Sequence, residues 1–76
     1  MGIVQIILLV LSLIKSVPEI IKVVVELIKL IRALQDTATQ KMTFSELITA
    51  VENYKKTGSD EALTSLKDRL SRRGSI

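Results

Sequence analysis

A narrow line of polar residues runs along an otherwise apolar N-terminal segment, and it constrains the possible folds more than any other feature. Its members recur in steps of three, four or seven residues, and we call them the polar seam: Gln5, Ser12, Lys15, Glu19, Lys22, Glu26 and Lys29. On a helix, this spacing gives one stripe that drifts by about 20° per seven residues. An ordinary amphipathic helix has a broad polar face. The inverted pattern predicts a helix surrounded mostly by lipid or by copies of itself.

The composition argues against catalysis. The chain has 76 residues, no Cys and no His, and it carries one Phe, one Tyr and no Trp. Thiolate and imidazole ligands are therefore absent, as is the commonest general base. The remaining polar residues pair no nucleophile with a base, and the three glycines form no phosphate-binding loop. We expect a non-enzymatic protein with no catalytic residues, no metal site and no cofactor.

Residues 1–34 are predicted to form a membrane-inserting, self-associating unit. Residues 2–15 are apolar apart from the three seam residues Gln5, Ser12 and Lys15, but they would span only about 20 Å as a helix, less than a hydrocarbon core of roughly 30 Å. Pro18 then either opens a second helix capped by Ser16 or Val17, or kinks one long helix as a hinge. We favour one kinked helix, because the seam residues keep the same helical spacing before and after Pro18.

The remainder of the chain predicts a small helical hairpin. Residues 35–42 are mostly polar and are predicted to form a linker. Thr43 and Glu46 have the spacing of a capping box, which predicts the start of a helix. Apolar residues follow at helical spacing up to a stop at Gly58. A second helix then completes an amphipathic hairpin over residues 43–73, with residues 74–76 as a tail. The predicted fold class is therefore all-α.

The charges of the seam suggest an oligomer. A Lys or Glu at the middle of a bilayer costs about 2.5–3.5 kcal/mol, so several unpaired charges would prevent insertion. They become tolerable when paired with neighbours or turned toward a polar lumen. Two alternatives remain open: a helix lying flat on a membrane or a partner, and a helical oligomer in water whose apolar surfaces bury one another.

A basic cluster closes the chain, namely Lys67, Arg69, Arg72 and Arg73. These cations suit the C-terminal end of a helix, and they also suit anionic lipid headgroups. Without interleaved aromatic residues they are weak evidence for nucleic acid. If the N-terminal segment spans a membrane, the positive-inside tendency places the hairpin in the cytoplasm or in the interior of a virion.

The N-terminal pattern resembles several groups of small membrane-active proteins. The apolar start, the hinge region Leu13-Ile-Lys-Ser-Val-Pro-Glu-Ile20 and the amphipathic continuation resemble the pore-type subunit of the twin-arginine translocase. The alternating charges are similar to type I toxin peptides and small phage holins, and the opening Met-Gly-Ile-Val is similar to phenol-soluble modulins. These resemblances cover residues 1–34 and imply a membrane-permeabilising role.

Taken together, the residues and the resemblance predict a homo-oligomeric, membrane-embedded helical protein that forms a pore or permeabilising assembly. The seam would register neighbouring helices, and the hairpin would control assembly. The main alternative is a structural component of a virion or membrane complex whose hairpin recruits a partner. A further alternative is a helical oligomer in water.

Overall fold

The computed structural model describes residues 2–74, with side chains described for residues 2–72. These residues form four α-helices: α1 (Ile3–Ile14), α2 (Ile21–Arg32), α3 (Thr37–Thr57) and α4 (Glu61–Gly74). A 3₁₀ turn, Pro18–Ile20, leads into α2. The all-α prediction is confirmed.

The single kinked helix that we favoured is not confirmed, because α1 and α2 are separate helices. Val17 adopts φ −136° and ψ 67°, outside the helical region, as expected for a residue whose α conformation clashes with a following proline. The Val17 amide donates to the carbonyl of Ile14 at 3.0 Å, and the Ser16 hydroxyl donates to that of Leu13 at 2.9 Å. The carbonyls at the end of α1 are thus satisfied locally, and Pro18 opens the next element.

Helix α3 begins six residues before the predicted capping box. Asp36 is its N-cap, and the carboxylate of Asp36 accepts from the amide of Thr39 at 3.2 Å and from its hydroxyl at 2.5 Å. The predicted role of Thr43 is wrong: its hydroxyl donates back to the carbonyl of Thr39, as in a helix interior. Residues 37–42, predicted to belong to a linker, therefore form the first turns of α3.

A side chain of α3 also holds the end of α2. The amide Nε2 of Gln40 donates to the carbonyl of Arg32 at 3.4 Å and makes a shorter hydrogen bond to the carbonyl of Leu34. These carbonyls lie at and just beyond the C-terminal end of α2, where helical partners are lacking. Gln40 therefore ties the short connection between α2 and α3 to the start of α3.

One apolar core unites the four helices. Each helix contributes buried residues at helical spacing, and the connection after α1 adds Val17 and Ile20. The largest fully buried side chains are Phe44, Leu27, Ile31, Leu47, Leu63, Val10, Val24 and Val51. Helix α1 packs chiefly on α3, whereas α2 packs on both α3 and α4. The shortest dimension of the molecule, 17 Å, corresponds to two layers of helices.

Helix α3 ends at the predicted stop. Gly58 has φ 74°, in the left-handed region, and its amide donates to the carbonyl of Tyr54 at 2.8 Å. A Cβ placed at Gly58 would meet no atom within 4 Å, so only the backbone conformation disfavours a larger residue.

Replacing Gly58 by Ala should therefore lower the free energy of unfolding by about 1 kcal/mol, the difference between Gly and other residues in the left-handed conformation. Chemical denaturation monitored by circular dichroism measures this change. Gly58→Asn is the matched control, because Asn adopts the left-handed conformation more readily than Ala. Equal stability of the two variants would contradict the left-handed cap.

Candidate functional site

The polar seam lies on the surface of the bundle. Its seven members are exposed and are distributed over α1, the following turn and α2: Gln5, Ser12, Lys15, Glu19, Lys22, Glu26 and Lys29. The hinge residue Pro18 is exposed as well. Because the helix breaks between residues 14 and 18, the seam does not follow one continuous helical line.

Both carboxylates of the seam contact the C-terminal helices. The hydroxyl of Tyr54 on α3 donates to Oε1 of Glu19 over a long 3.4 Å. Nζ of Lys67 on α4 lies 2.5 Å from Oε2 of Glu26. The ion pair found at Glu26 joins α2 to α4 and not two residues of the seam. Sequence spacing revealed neither contact, because each joins residues at least 35 positions apart.

These contacts shift two pKa values in opposite directions. The hydrogen bond and the charge of Lys67 lower the pKa of Glu26, and Lys29 adds a smaller effect of the same sign. Burial raises the pKa of Tyr54, and the charge of Glu19 raises it further. The folded protein therefore favours the ionised form of Glu26 and the neutral form of Tyr54.

A pH dependence of stability follows from Glu26. Its pKa is lower in the folded state than in the unfolded state, so its stabilising effect is complete above the ordinary pKa of a glutamate. This effect is lost as the pH falls through the lowered folded-state value. We expect Glu26→Gln to flatten the acid limb of a plot of unfolding free energy against pH.

Denaturant titrations across the acid range measure that slope. Glu52→Gln, which removes an exposed carboxylate from α3, is the matched control. The charge-swapped double variant Glu26→Lys with Lys67→Glu should recover most of the stability that either reversal alone loses. Additive losses in the double variant would show that the two side chains do not interact.

Helix α1 carries an exposed apolar stripe on the side that faces away from the core. Val4, Leu8 and Leu11, which we call the α1 stripe, are 71%, 59% and 37% exposed. Their spacing of four and three residues places them on one helix face, and Lys15 continues the same line. Leu9, 41% exposed, lies on the far side of Gln5 and Ser12. Helix α1 contains no acidic residue, so the stripe ends in a positive charge with no negative charge along it.

The basic cluster is already engaged within the protein. Lys67 pairs with Glu26, Nη2 of Arg69 lies 2.6 Å from Oε2 of Glu46, and Nε of Arg72 lies 3.2 Å from Oδ2 of Asp68. The side chain of Arg73 lies outside the described residues. The exposed sides of Lys67, Arg69 and Arg72 still face solvent, so the ion pairs reduce the positive potential without removing it.

A shallow groove follows the line between α3 and α4. Its two parts have volumes of about 490 and 450 Å³ and share Glu46, Leu66 and Arg69, so the ion pair of Arg69 with Glu46 lies between them. Small side chains line the second part, including Ser45, Thr49, Ala50, Ala62 and Ser65. The groove has no signal in the sequence, because only the packing of α3 on α4 creates it.

Comparison with known proteins provides no family for this chain: no family model, curated protein or solved structure matches it significantly. Within residues 2–74, no helix combines the length and the apolar character needed to cross a membrane. The same residues contain no cluster of three or more side chains suited to holding a metal ion.

Proposed function

We propose that this chain is a non-enzymatic, membrane-binding helical protein that docks on the bilayer through the α1 stripe. The observation that carries the proposal is the exposure of Val4, Leu8 and Leu11 on one face of a helix that ends in Lys15. Exposed apolar residues that are contiguous and bordered by polar ones mark interaction surfaces. Absence of acidic residues from α1 and the net charge of +3 favour an anionic membrane surface.

The size of the stripe sets the expected strength of binding. Full burial of a Val or Leu side chain is worth about 1.5–3 kcal/mol, so transferring the exposed fractions of the three residues is worth about 3 kcal/mol in total. A single myristoyl chain gives only marginal membrane binding, and the stripe contributes less than that. Basic residues near the surface must therefore supply the rest, at about 1 kcal/mol each.

Lys15 provides a direct test of this electrostatic contribution. We expect Lys15→Gln to weaken binding to vesicles containing anionic lipid by about fivefold, which corresponds to one lysine near a charged surface. Binding to purely zwitterionic vesicles should remain weak and unchanged. Co-sedimentation with vesicles of the two compositions measures both affinities. Lys41→Gln is the control, because Lys41 lies near the start of α3 and the other end of that helix contacts Glu19. If the two substitutions weakened vesicle binding equally, Lys15 would not be part of the docking surface.

We further propose that bound copies of the protein assemble into an oligomer that permeabilises the membrane. Several copies bound at one site would bring their polar seams together, so that lysines of one copy pair with Glu19 or Glu26 of the next. Each carboxylate would then exchange its contact with Tyr54 or Lys67 for a partner in a neighbouring copy. Release of a trapped dye from anionic vesicles tests this step. The double variant Glu19→Gln, Glu26→Gln should bind vesicles normally and release less dye.

A second candidate is a structural membrane component that recruits a partner without opening the bilayer. The groove between α3 and α4 favours it, because the small side chains that line its second part permit close approach of a partner's helix. Vesicle binding without dye release at any ratio of protein to lipid would select this candidate over the permeabilising one.

A further inference from the structure

The inner face of α1 is as apolar as its outer stripe. Ile3, Ile6 and Ile7 are half-buried, Val10 and Ile14 are buried, and only Gln5 and Ser12 are polar among residues 3–14. A helix that is apolar around nearly its whole circumference is normally surrounded by protein or lipid on all sides. In this fold α1 is covered on one side only, since it packs chiefly on α3.

The chain between α1 and the rest of the bundle offers one exposed point about which α1 can move. Val17 and Ile20 are buried in the core and fix the chain immediately after α1. Lys15 and Ser16, which lie between the end of α1 and Val17, are exposed. Helices α2, α3 and α4 also contact one another directly, since α2 packs on both α3 and α4 and α3 packs on α4. A rotation about Lys15 and Ser16 would therefore move α1 away from α3 and leave these three contacts in place.

We propose that α1 detaches from α3 at an anionic membrane and enters the outer leaflet with its inner face also in lipid. This inference rests on the proposed function and extends it from docking to insertion. Twelve residues of helix rise about 18 Å, which suits one leaflet rather than a hydrocarbon core of roughly 30 Å. Lys15, at the end of α1, stays at the headgroups because a lysine side chain extends toward water.

Lipid is preferred to a second copy of the chain because of the charges. A second copy would bring another Lys15 to the same self-complementary interface, with no acidic residue on α1 to pair with it. An anionic bilayer supplies negative charge at its headgroups, where Lys15 would lie. The occupant is therefore a surface of acidic phospholipids.

Two tryptophan variants distinguish insertion from docking. The chain contains no Trp, so Ile6→Trp and Leu8→Trp each introduce one fluorophore. The two positions lie about 160° apart around α1, since each residue advances by about 100°. Ile6 is half-buried against the core, and Leu8 belongs to the stripe. Ile3→Trp is a second inner-face variant in case Ile6→Trp does not fold in buffer, as judged by circular dichroism.

Quenching by brominated lipid in anionic vesicles provides the readout. Insertion predicts equal quenching of the inner and outer tryptophans. Quenching of Leu8→Trp alone would overturn the insertion of α1 and leave the proposed docking intact. Quenching of neither would overturn the proposed function as well. A self-association measured by analytical centrifugation without lipid, and abolished by polar substitutions in the stripe, would assign the face to a second copy and overturn the inference.

Discussion

Replacing Leu27 by Ala lowers the free energy of unfolding in buffer by about 3 kcal/mol, within the usual range for a Leu-to-Ala change in a core. Leu27 is completely buried in α2, and α2 packs against both α3 and α4. A chain of this length has a total stability of roughly 4–11 kcal/mol, so the variant loses a large part of it. The midpoint of thermal unfolding should fall by more than about 10 °C.

Leu8→Ala is the matched control for that experiment. It removes the same atoms from a helix of the same length, but Leu8 is 59% exposed. We expect the midpoint of thermal unfolding to change by no more than a few degrees, because most of the side chain is already in water. If the two variants were equally stable, α2 would not be packed on α3 and α4 in buffer. That result would favour the membrane-embedded arrangement predicted from the sequence.

Replacing the apolar residues of the α1 stripe should greatly weaken the binding of the protein to anionic vesicles. The triple variant Val4→Gln, Leu8→Gln, Leu11→Gln keeps good helix-forming residues on α1 while eliminating its exposed apolar surface. A loss of about 3 kcal/mol of transfer free energy corresponds to a roughly 100-fold weaker partition into anionic vesicles. Thermal stability in buffer should change little, since these side chains face solvent.

Met42→Gln controls for a general loss of surface hydrophobicity. Met42 is 63% exposed, as much as the stripe residues, but it lies on α3 beside the groove between α3 and α4. Its replacement should leave vesicle binding unchanged. A similar loss in both variants would mean that membrane binding reflects overall hydrophobicity, and a full retention of binding by the triple variant would exclude the stripe as the docking surface.

Local signals in the sequence predicted the helices better than they predicted how the helices pack. Helical spacing and the glycine stop at Gly58 were sufficient for the C-terminal part of α3 and its end, because both depend on neighbouring residues, whereas the start of α3 at Thr37 was missed. The break at Pro18 was recognised as one of two alternatives. The periodicity of the seam favoured the wrong one, since the phase of a pattern carries no information about the backbone conformation of Val17.

Contacts over long sequence distances could not be derived from spacing. The ion pair of Glu26 with Lys67 depends on α4 lying beside α2, and the hydrogen bond of Tyr54 to Glu19 depends on the position of α3. The inverted amphipathic pattern suits a helix covered by lipid and a helix half-covered by protein equally well. Packing of its inner face on α3 explains why only part of the apolar surface of α1 remains exposed.

Amide hydrogen exchange with and without anionic vesicles tests the central claim, that a closed bundle meets the membrane through α1. In buffer, we expect slow exchange in the middle of α2, α3 and α4, because their core residues are buried. Addition of vesicles should slow exchange in α1 and leave the middle of α4 unchanged, because α1 packs chiefly on α3 rather than on α4. Fast exchange throughout residues 3–32 in buffer, or protection by vesicles that includes α4 but not α1, would contradict the claim.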